Sequence, residues 1–171
     1  MTGKRGFALA LCLMACLIAA TAAGAQEFFT ANDLAAVQIT ATTKFGAFAI
    51  YARSDKGVTV EAMSAPRVAA DGEVFNNRIK LNGGGAMDYR SIHFTTGGNA
   101  EVAFYANSSS KTDARTLVLV NVADGAVIAE LVAPADDEKN AGIATAAVPR
   151  AGEYALYSKS SGINIYQIVI K

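Results

Sequence analysis

Few side chains in this protein can do chemistry, and their spacing narrows which chemistry remains. His93 is the only histidine, set inside the strand-like run SIHFTT. No Gly-x-Ser-x-Gly elbow accompanies it, and both cysteines, Cys12 and Cys16, lie in the apolar N-terminal run. It therefore has no evident nucleophile to activate. A zinc site would have to be assembled mostly from carboxylates, an unfavourable ligand set for that ion. Asp136, Asp137 and Glu138 offer hard oxygens together and form a calcium candidate, with a solvated charged loop as the ordinary alternative. Facing carboxylates, Asp88 with Glu101 or Glu153, are the remaining route to glycosidase-type chemistry.

The cations form a more coherent group. Arg78 and Lys80 alternate with Ile79 and Leu81, so both project from one face of a strand. Arg90 opens the next strand, and Lys111 and Arg115 flank the stretch NSSSKTDAR. Lys159 stands just before Ser160, Ser161 and Gly162, with Asn164 following. Each cation alone reads as a solubilising surface charge. Brought together by a fold, they would suit a ligand with regularly spaced carboxylates. The chain has no tryptophan, so charge and hydrogen bonding are favoured over stacking on an indole.

Elements that would position these groups are nearly all strands. FAIYA and VTVEAM flank RSDKG, in which Asp55-Lys56-Gly57 has hairpin-turn chemistry. RIKL is stopped by three glycines, and SIHFTT runs through Gly97-Gly98-Asn99 into EVAFYA, whose alternation predicts a half-buried strand. TLVLVNV is continuously apolar, as expected of a strand covered on both faces. Asp124-Gly125 leads into AVIAELVA, and IATAAV, EYALYS and INIYQIVI complete the set. About ten short β segments separated by turn signals predict an all-β, antiparallel β-sandwich. The stretch 26–44 is expected to be loose or to form a short helix, with Thr30 or Asn32 as N-cap. The sandwich is expected over 45–171.

The N-terminus reads as a targeting segment. Lys4 and Arg5 precede the compact apolar run GFALALCLMACLIAA, and Ala23 and Ala25 have the small-residue spacing of a signal-peptidase site. Residues 1–25 are therefore expected to be a signal peptide. A lipid-attachment reading at Cys16 is the alternative. The expected product is secreted or periplasmic, without thiols or disulfides. Two of the fifteen basic residues and none of the fifteen acidic ones fall within 1–25. The remaining chain is slightly acidic, which excludes a phosphate-tracking nucleic-acid binder. No later stretch has the length of a membrane span.

Several segments occur in a recognisable order: FAIYARSDKGVTVEA, DGEVFNNRIKLNGGG, DYRSIHFTT, AEVAFYANSSS, ARTLVLVN and AGEYALYSKSSGINIYQIVIK. Together they resemble the small β-sandwich modules appended to secreted bacterial pectate lyases. That resemblance implies a jelly-roll-like, galactose-binding-like sandwich without catalytic activity. It also implies an acidic plant cell-wall polysaccharide, pectin or homogalacturonan, as partner, together with a secreted polysaccharide-degrading enzyme. No cofactor is implied. On this resemblance Arg78, Lys80, Arg90, Lys111, Arg115 and Lys159 are the candidate carboxylate contacts, and Ser160, Ser161 and Asn164 the hydroxyl readers. The module is expected to stand alone behind its signal peptide, and on that expectation an adhesin or a protein-interaction module is the alternative function.

Overall fold

The computed structural model describes residues 26–171, and the signal-peptide assignment to 1–25 lies outside them. No helix among the described residues is long and apolar enough to cross a membrane. Among the described residues, thirteen strands form two sheets. The seven-stranded sheet contains β1 (Glu27–Thr30), β2 (Val37–Ile39), β5 (Val58–Ala69), β6 (Val74–Leu81), β8 (Ala100–Ser108), β11 (Asn140–Val148) and β13 (Ile163–Ile170). The six-stranded sheet runs in the order β10 (Val127–Ala133), β9 (Arg115–Asn121), β12 (Gly152–Ser158), β7 (Ser91–Thr96), β4 (Phe48–Tyr51) and β3 (Thr43–Phe45). The expected antiparallel sandwich is formed, and its only parallel strand pairing among the described residues joins β11 to β5.

Alternation drives the packing. Along β4, β7 and β12, Phe48, Ile50, Ile92, Phe94, Tyr154 and Leu156 face inward and are buried. They meet Val58, Val60, Ile79, Leu81, Phe104 and Ile165 from the other sheet in one core cluster. Sheet faces packed in this way bury side chains of both layers at every second position. Phe94 joins the layers: its ring lies 6.2 Å from Phe48, 5.9 Å from Tyr154 and 6.2 Å from Phe104 on the opposite sheet.

Two expectations are corrected. The segment 26–44 is neither loose nor helical, apart from one 3-10 turn at Ala31–Asp33 capped by Thr30. It supplies β1 against β13, β2 against β5 and β3 against β4. Phe29 of β1 drops into the core and stacks on Phe48 at 5.1 Å, and that anchorage is what orders the segment. The RSDKG turn is tight, with Arg53 and Lys56 exchanging backbone hydrogen bonds. It is not a hairpin, because β4 and β5 belong to different sheets. It turns a corner of the sandwich.

The β5–β6 hairpin is longer than its hydrophobic pattern suggests. Its register shifts between Ala62 and Arg67, a stretch containing Pro66, which cannot donate to a ladder and is tolerated at such irregularities. Beyond the shift, Val68 and Ala69 pair with β11. Because β13 also pairs with β8, the path β13–β6–β5–β11–β8 closes on itself. A second, smaller core of Phe75, Tyr105, Tyr166, Val169 and three alanines is enclosed there. Two polar contacts seal it. Arg67 donates to both oxygens of Asp136 at 2.7 and 3.1 Å with both side chains buried, and the Tyr105 hydroxyl donates to Asp71 at 2.6 Å.

Removing one partner of a buried ion pair leaves an uncompensated charge. Arg67→Ala is therefore expected to lower unfolding free energy by about 3–5 kcal/mol in urea denaturation. Replacing both Arg67 and Asp136 with apolar residues should recover most of that loss. Burial, reinforced by Asp71, pushes the Tyr105 hydroxyl up to about 12, above its ordinary value. Its stabilisation is therefore complete below the pH at which an unfolded tyrosine ionises and is lost as pH rises towards the folded value. Melting scans between pH 9 and 12 should show Tyr105→Phe losing less stability with rising pH than the parent.

Candidate glycan-binding surfaces

The inward register of β4, β7 and β12 forces the intervening residues outward. Ala49, His93 and Ala155 form one cross-strand row, and Tyr51, Ser91 and Tyr157 the next. Thr95 lies opposite Glu153. The alanines on either side of His93 leave room for a ring between them. Tyr51 stacks on that imidazole, with ring centroids 3.8 Å apart and planes inclined by 17°. His93 is 4 % exposed. Its Nδ1 sits 2.7 Å from Glu153 Oε1 and its Nε2 2.7 Å from the Met87 carbonyl. Both nitrogens are thus engaged, and the imidazole acts as a fixed plate beneath Tyr51.

Above this plate lies a pocket of about 360 Å³ lined by Lys44, Ala49, Tyr51, His93, Thr95 and Glu153, among others. Lys44 is exposed and has no ion-pair partner among the described residues. The loop 82–90 folds back beside the pocket, since Met87 also accepts from Ser91 Oγ at 3.0 Å. On the same loop Tyr89 lies under the Arg53 guanidinium, 4.4 Å from its ring centroid, with Lys56 at 6.0 Å. Arg53 also reaches Asp88 at 3.0 Å. Sequence reasoning missed this site. Its one readable signal was a lone histidine on an alternating strand, and its partners Tyr51 and Glu153 are remote in the chain.

The cations singled out from the sequence are placed elsewhere, and four of the six have ion-pair partners. Arg78 and Lys80 share Glu61 Oε1, at 2.6 and 3.6 Å. Lys111 pairs with Glu138 at 2.9 Å, and Lys159 with Glu130 at 2.8 Å. Arg115 donates to Ser109 Oγ at 2.7 Å and to the Gly162 carbonyl, fastening the final turn to the 109–114 loop. Arg90 takes a left-handed φ of 48°, and its Nε is buried without a partner. The glycine run 83–85 threads past this side chain: a Cβ on Gly83 would meet Arg90 Nη1 at 2.6 Å, and one on Gly84 would meet the Ser160 carbonyl at 2.9 Å. Three carboxylates thus face four of these six cations, and Arg90 and Arg115 have no ion-pair partner among the described residues. Ser160 is exposed and Ser161 half-buried. Asn164 is wholly buried on β13, which corrects its placement as a residue presented by the turn.

The calcium candidates are likewise committed to the chain. Asp136 holds Arg67, Asp137 accepts from the Lys139 and Asn140 amides, and Glu138 holds Lys111. No group of three potential ligands among the described residues is placed to hold a metal. Of the glycosidase candidates, Asp88 is bound to Arg53 and Glu153 to His93, while Glu101 lies on β8 of the other sheet.

If His93 is the plate that fixes Tyr51, removing it should loosen the ring. His93→Ala is expected to lower the melting temperature, because the Met87 carbonyl and Glu153 lose their partner. Fluorescence anisotropy or NMR of Tyr51 should report greater ring mobility than in the parent.

No family model and no curated protein sequence matches the chain. Among solved structures, one from the Ruminococcus flavefaciens cellulosome, described as reflecting an expansion in glycan recognition, aligns with a TM-score of 0.51 at 12 % identity. The alignment covers 85 % of this chain and 92 % of that one. The CBM22-1 xylan-binding domain of Paenibacillus barcinonensis Xyn10C aligns at 0.48 and 10 % identity, over 85 % and 92 % of the two chains. The carbohydrate-binding module CBM6cm-2 of Cellvibrio mixtus lichenase 5A, solved with cellotriose, gives 0.44 and 11 %, over 79 % and 95 %. At such identities the likeness to the first of these establishes a shared fold, the two-sheet sandwich described above.

Proposed function

We propose that this protein is an exported, non-catalytic glycan-binding module whose ligand lies across the outer face of the six-stranded sheet. The observation that carries the reading is the Tyr51 ring, held by a buried histidine at the base of an open pocket and flanked by polar groups. A pyranose stacks its C–H face on such a ring, while Glu153 and Thr95 are placed to read its hydroxyls. Lys44 supplies an unpaired ammonium at the pocket wall. A uronate carboxylate would meet it there, which supports an acidic plant cell-wall polysaccharide such as pectin or homogalacturonan. Arg53 and Lys56 over Tyr89 would extend the same preference along the chain of sugars. Partnership with a secreted polysaccharide-degrading enzyme follows from this reading, with such a module concentrating the enzyme on its substrate.

A protein-binding role has one specific observation in its favour. Edge strand β10 exposes Val127 and Val132 at 58 % and 64 %, and unpaired strand edges recruit other chains. Those valines lie on the far side of the six-stranded sheet from Tyr51, so the two readings are separable by mutation.

Affinity electrophoresis on gels containing low-ester homogalacturonan, high-ester pectin or a neutral glucan tests the proposal. Retardation on homogalacturonan is expected, weakening with salt. Tyr51→Ala should weaken it strongly, with a loss of about 0.5–1.5 kcal/mol from the stacking contact in addition to the ring's buried area. Lys44→Ala should reduce retardation on the acidic polymer and leave the neutral one unchanged. Equal mobility of parent and Tyr51→Ala on every gel would remove the reading.

A further inference from the structure

A second pocket, of about 460 Å³, lies on the seven-stranded sheet, away from Tyr51. Four pieces of chain wall it: the irregular part of β5, the facing segment of β6, the loop between β8 and β9, and the loop between β10 and β11. Only Ala62 and Met63 among its lining residues are apolar. A site with so little apolar surface selects hydrogen-bonding groups and charge rather than ring faces.

The charges leave a surplus. Arg67 and Asp136 neutralise one another in a buried, two-pronged contact. Lys111 and Glu138 do the same at the exposed rim. The third lining pair, Arg78 and Glu61, is joined by Lys80 from outside the lining, making a trio in which two cations face one carboxylate. Burial pushes the Glu61 carboxyl up, but Arg78 and Lys80 outweigh it and hold the group below its ordinary value. Glu61 is therefore ionised at neutral pH, and the trio keeps one net positive charge. Arg78 commits Nε and Nη2 to Glu61 Oε1. Its Nη1 donates to no group among the described residues and is left for another acceptor.

Independent of this charge count, polar atoms close by are stranded. Tyr166 is wholly buried, and its hydroxyl has no hydrogen-bond partner. It lies in the field of Asp136, Arg67 and Arg78, all of which line the pocket. Two residues earlier on β13, Asn164 is also wholly buried, and neither atom of its amide has a partner. The register places Asn164 directly between Lys80 of β6 and Asn107 of β8. Leaving a buried hydroxyl and a buried amide unsatisfied destabilises the folded state. Such groups in native proteins usually have a reason.

We propose that this pocket is a second binding site, specific for a hydroxylated monocarboxylate such as the uronic acid at the end of a glycan chain. The carboxylate takes the surplus charge of Arg78 and Lys80, and a neighbouring hydroxyl satisfies Tyr166. A pocket walled by four segments admits an end, in contrast to the open cleft at Tyr51. The proposal stands on its own residues and holds whether or not the cleft binds polysaccharide.

Titration of the 15N-labelled protein with glucuronate, gluconate and glucose, followed amide by amide, tests it. Glucuronate is expected to shift the amides of Arg67, Arg78, Ser109 and Asp136, and glucose to leave them in place. Arg78→Gln should weaken that response by about tenfold, the loss of a charge-assisted hydrogen bond. Tyr166→Phe should weaken it about threefold without lowering the melting temperature, because it deletes an unsatisfied hydroxyl. Shifts confined to the amides of β4 and β7 would overturn the second site while leaving the cleft intact. No shift at the pocket amides with either acid, or equal shifts with glucose, would overturn it as well. Gluconate acting in place of glucuronate would overturn the glycan-end assignment and identify a free sugar acid.

Discussion

The inward lock of Phe94 and Ile92 is the constraint from which the rest follows. Their rings and branches meet residues of both sheets, so β7 cannot slip by one residue without turning its apolar side chains into water. Because strand side chains alternate with a period of two, burying these positions fixes His93 on the opposite face. The core thus aims the imidazole, the imidazole flattens Tyr51, and Glu153 arrives across the ladder from β12. A surface built in this way needs no mobile loop to hold its central ring. It inherits the rigidity of the sandwich.

The two pockets differ in how the protein has treated charge. In the cleft, one ammonium stands free beside a carboxylate already held by His93. On the other sheet, ion pairs are packed so densely that little charge is left over among them. The buried Arg67–Asp136 pair mainly fixes the geometry of a long hairpin there. Buried pairs of this kind contribute little net stability compared with apolar replacements. Their value lies in defining which loop sits where.

How much of this was legible in the sequence depends on the distance over which each feature is encoded. The strands carried their own signal: continuous apolarity in TLVLVNV matches what the structure buries, whereas the alternation in EVAFYA suggested a half-buried strand and the structure buries both faces, with Val102, Phe104 and Ala106 in the main core and Ala103 and Tyr105 in the second one. Which sheet a strand joins is not a local property. Asp55-Lys56-Gly57 has the same composition whether it closes a hairpin or turns a corner, so the RSDKG turn was misassigned. The segment 26–44 misled for a related reason, since helix formers around Leu34 outweigh three short strands whose order comes from Phe29 entering a distant core. Among the cations, each residue type was visible, but its carboxylate partner was not. Glu61 lies 17 positions from Arg78 and meets it only because the β5–β6 hairpin brings the two together, and Glu130 reaches Lys159 only through the folded sheet.

Glu27 pairs with Ile170, so the first and last strands of the sandwich lie side by side and run in opposite directions. Tension applied to this domain through both ends would therefore open the ladder like a zipper, one backbone pair after another. It would not shear many bonds at once. The first event under load would be withdrawal of β1 with Phe29, at one margin of the seven-stranded sheet. The domain is mechanically soft at its ends, while β4, β7 and β12, which hold Tyr51, His93 and Glu153, carry no direct pull.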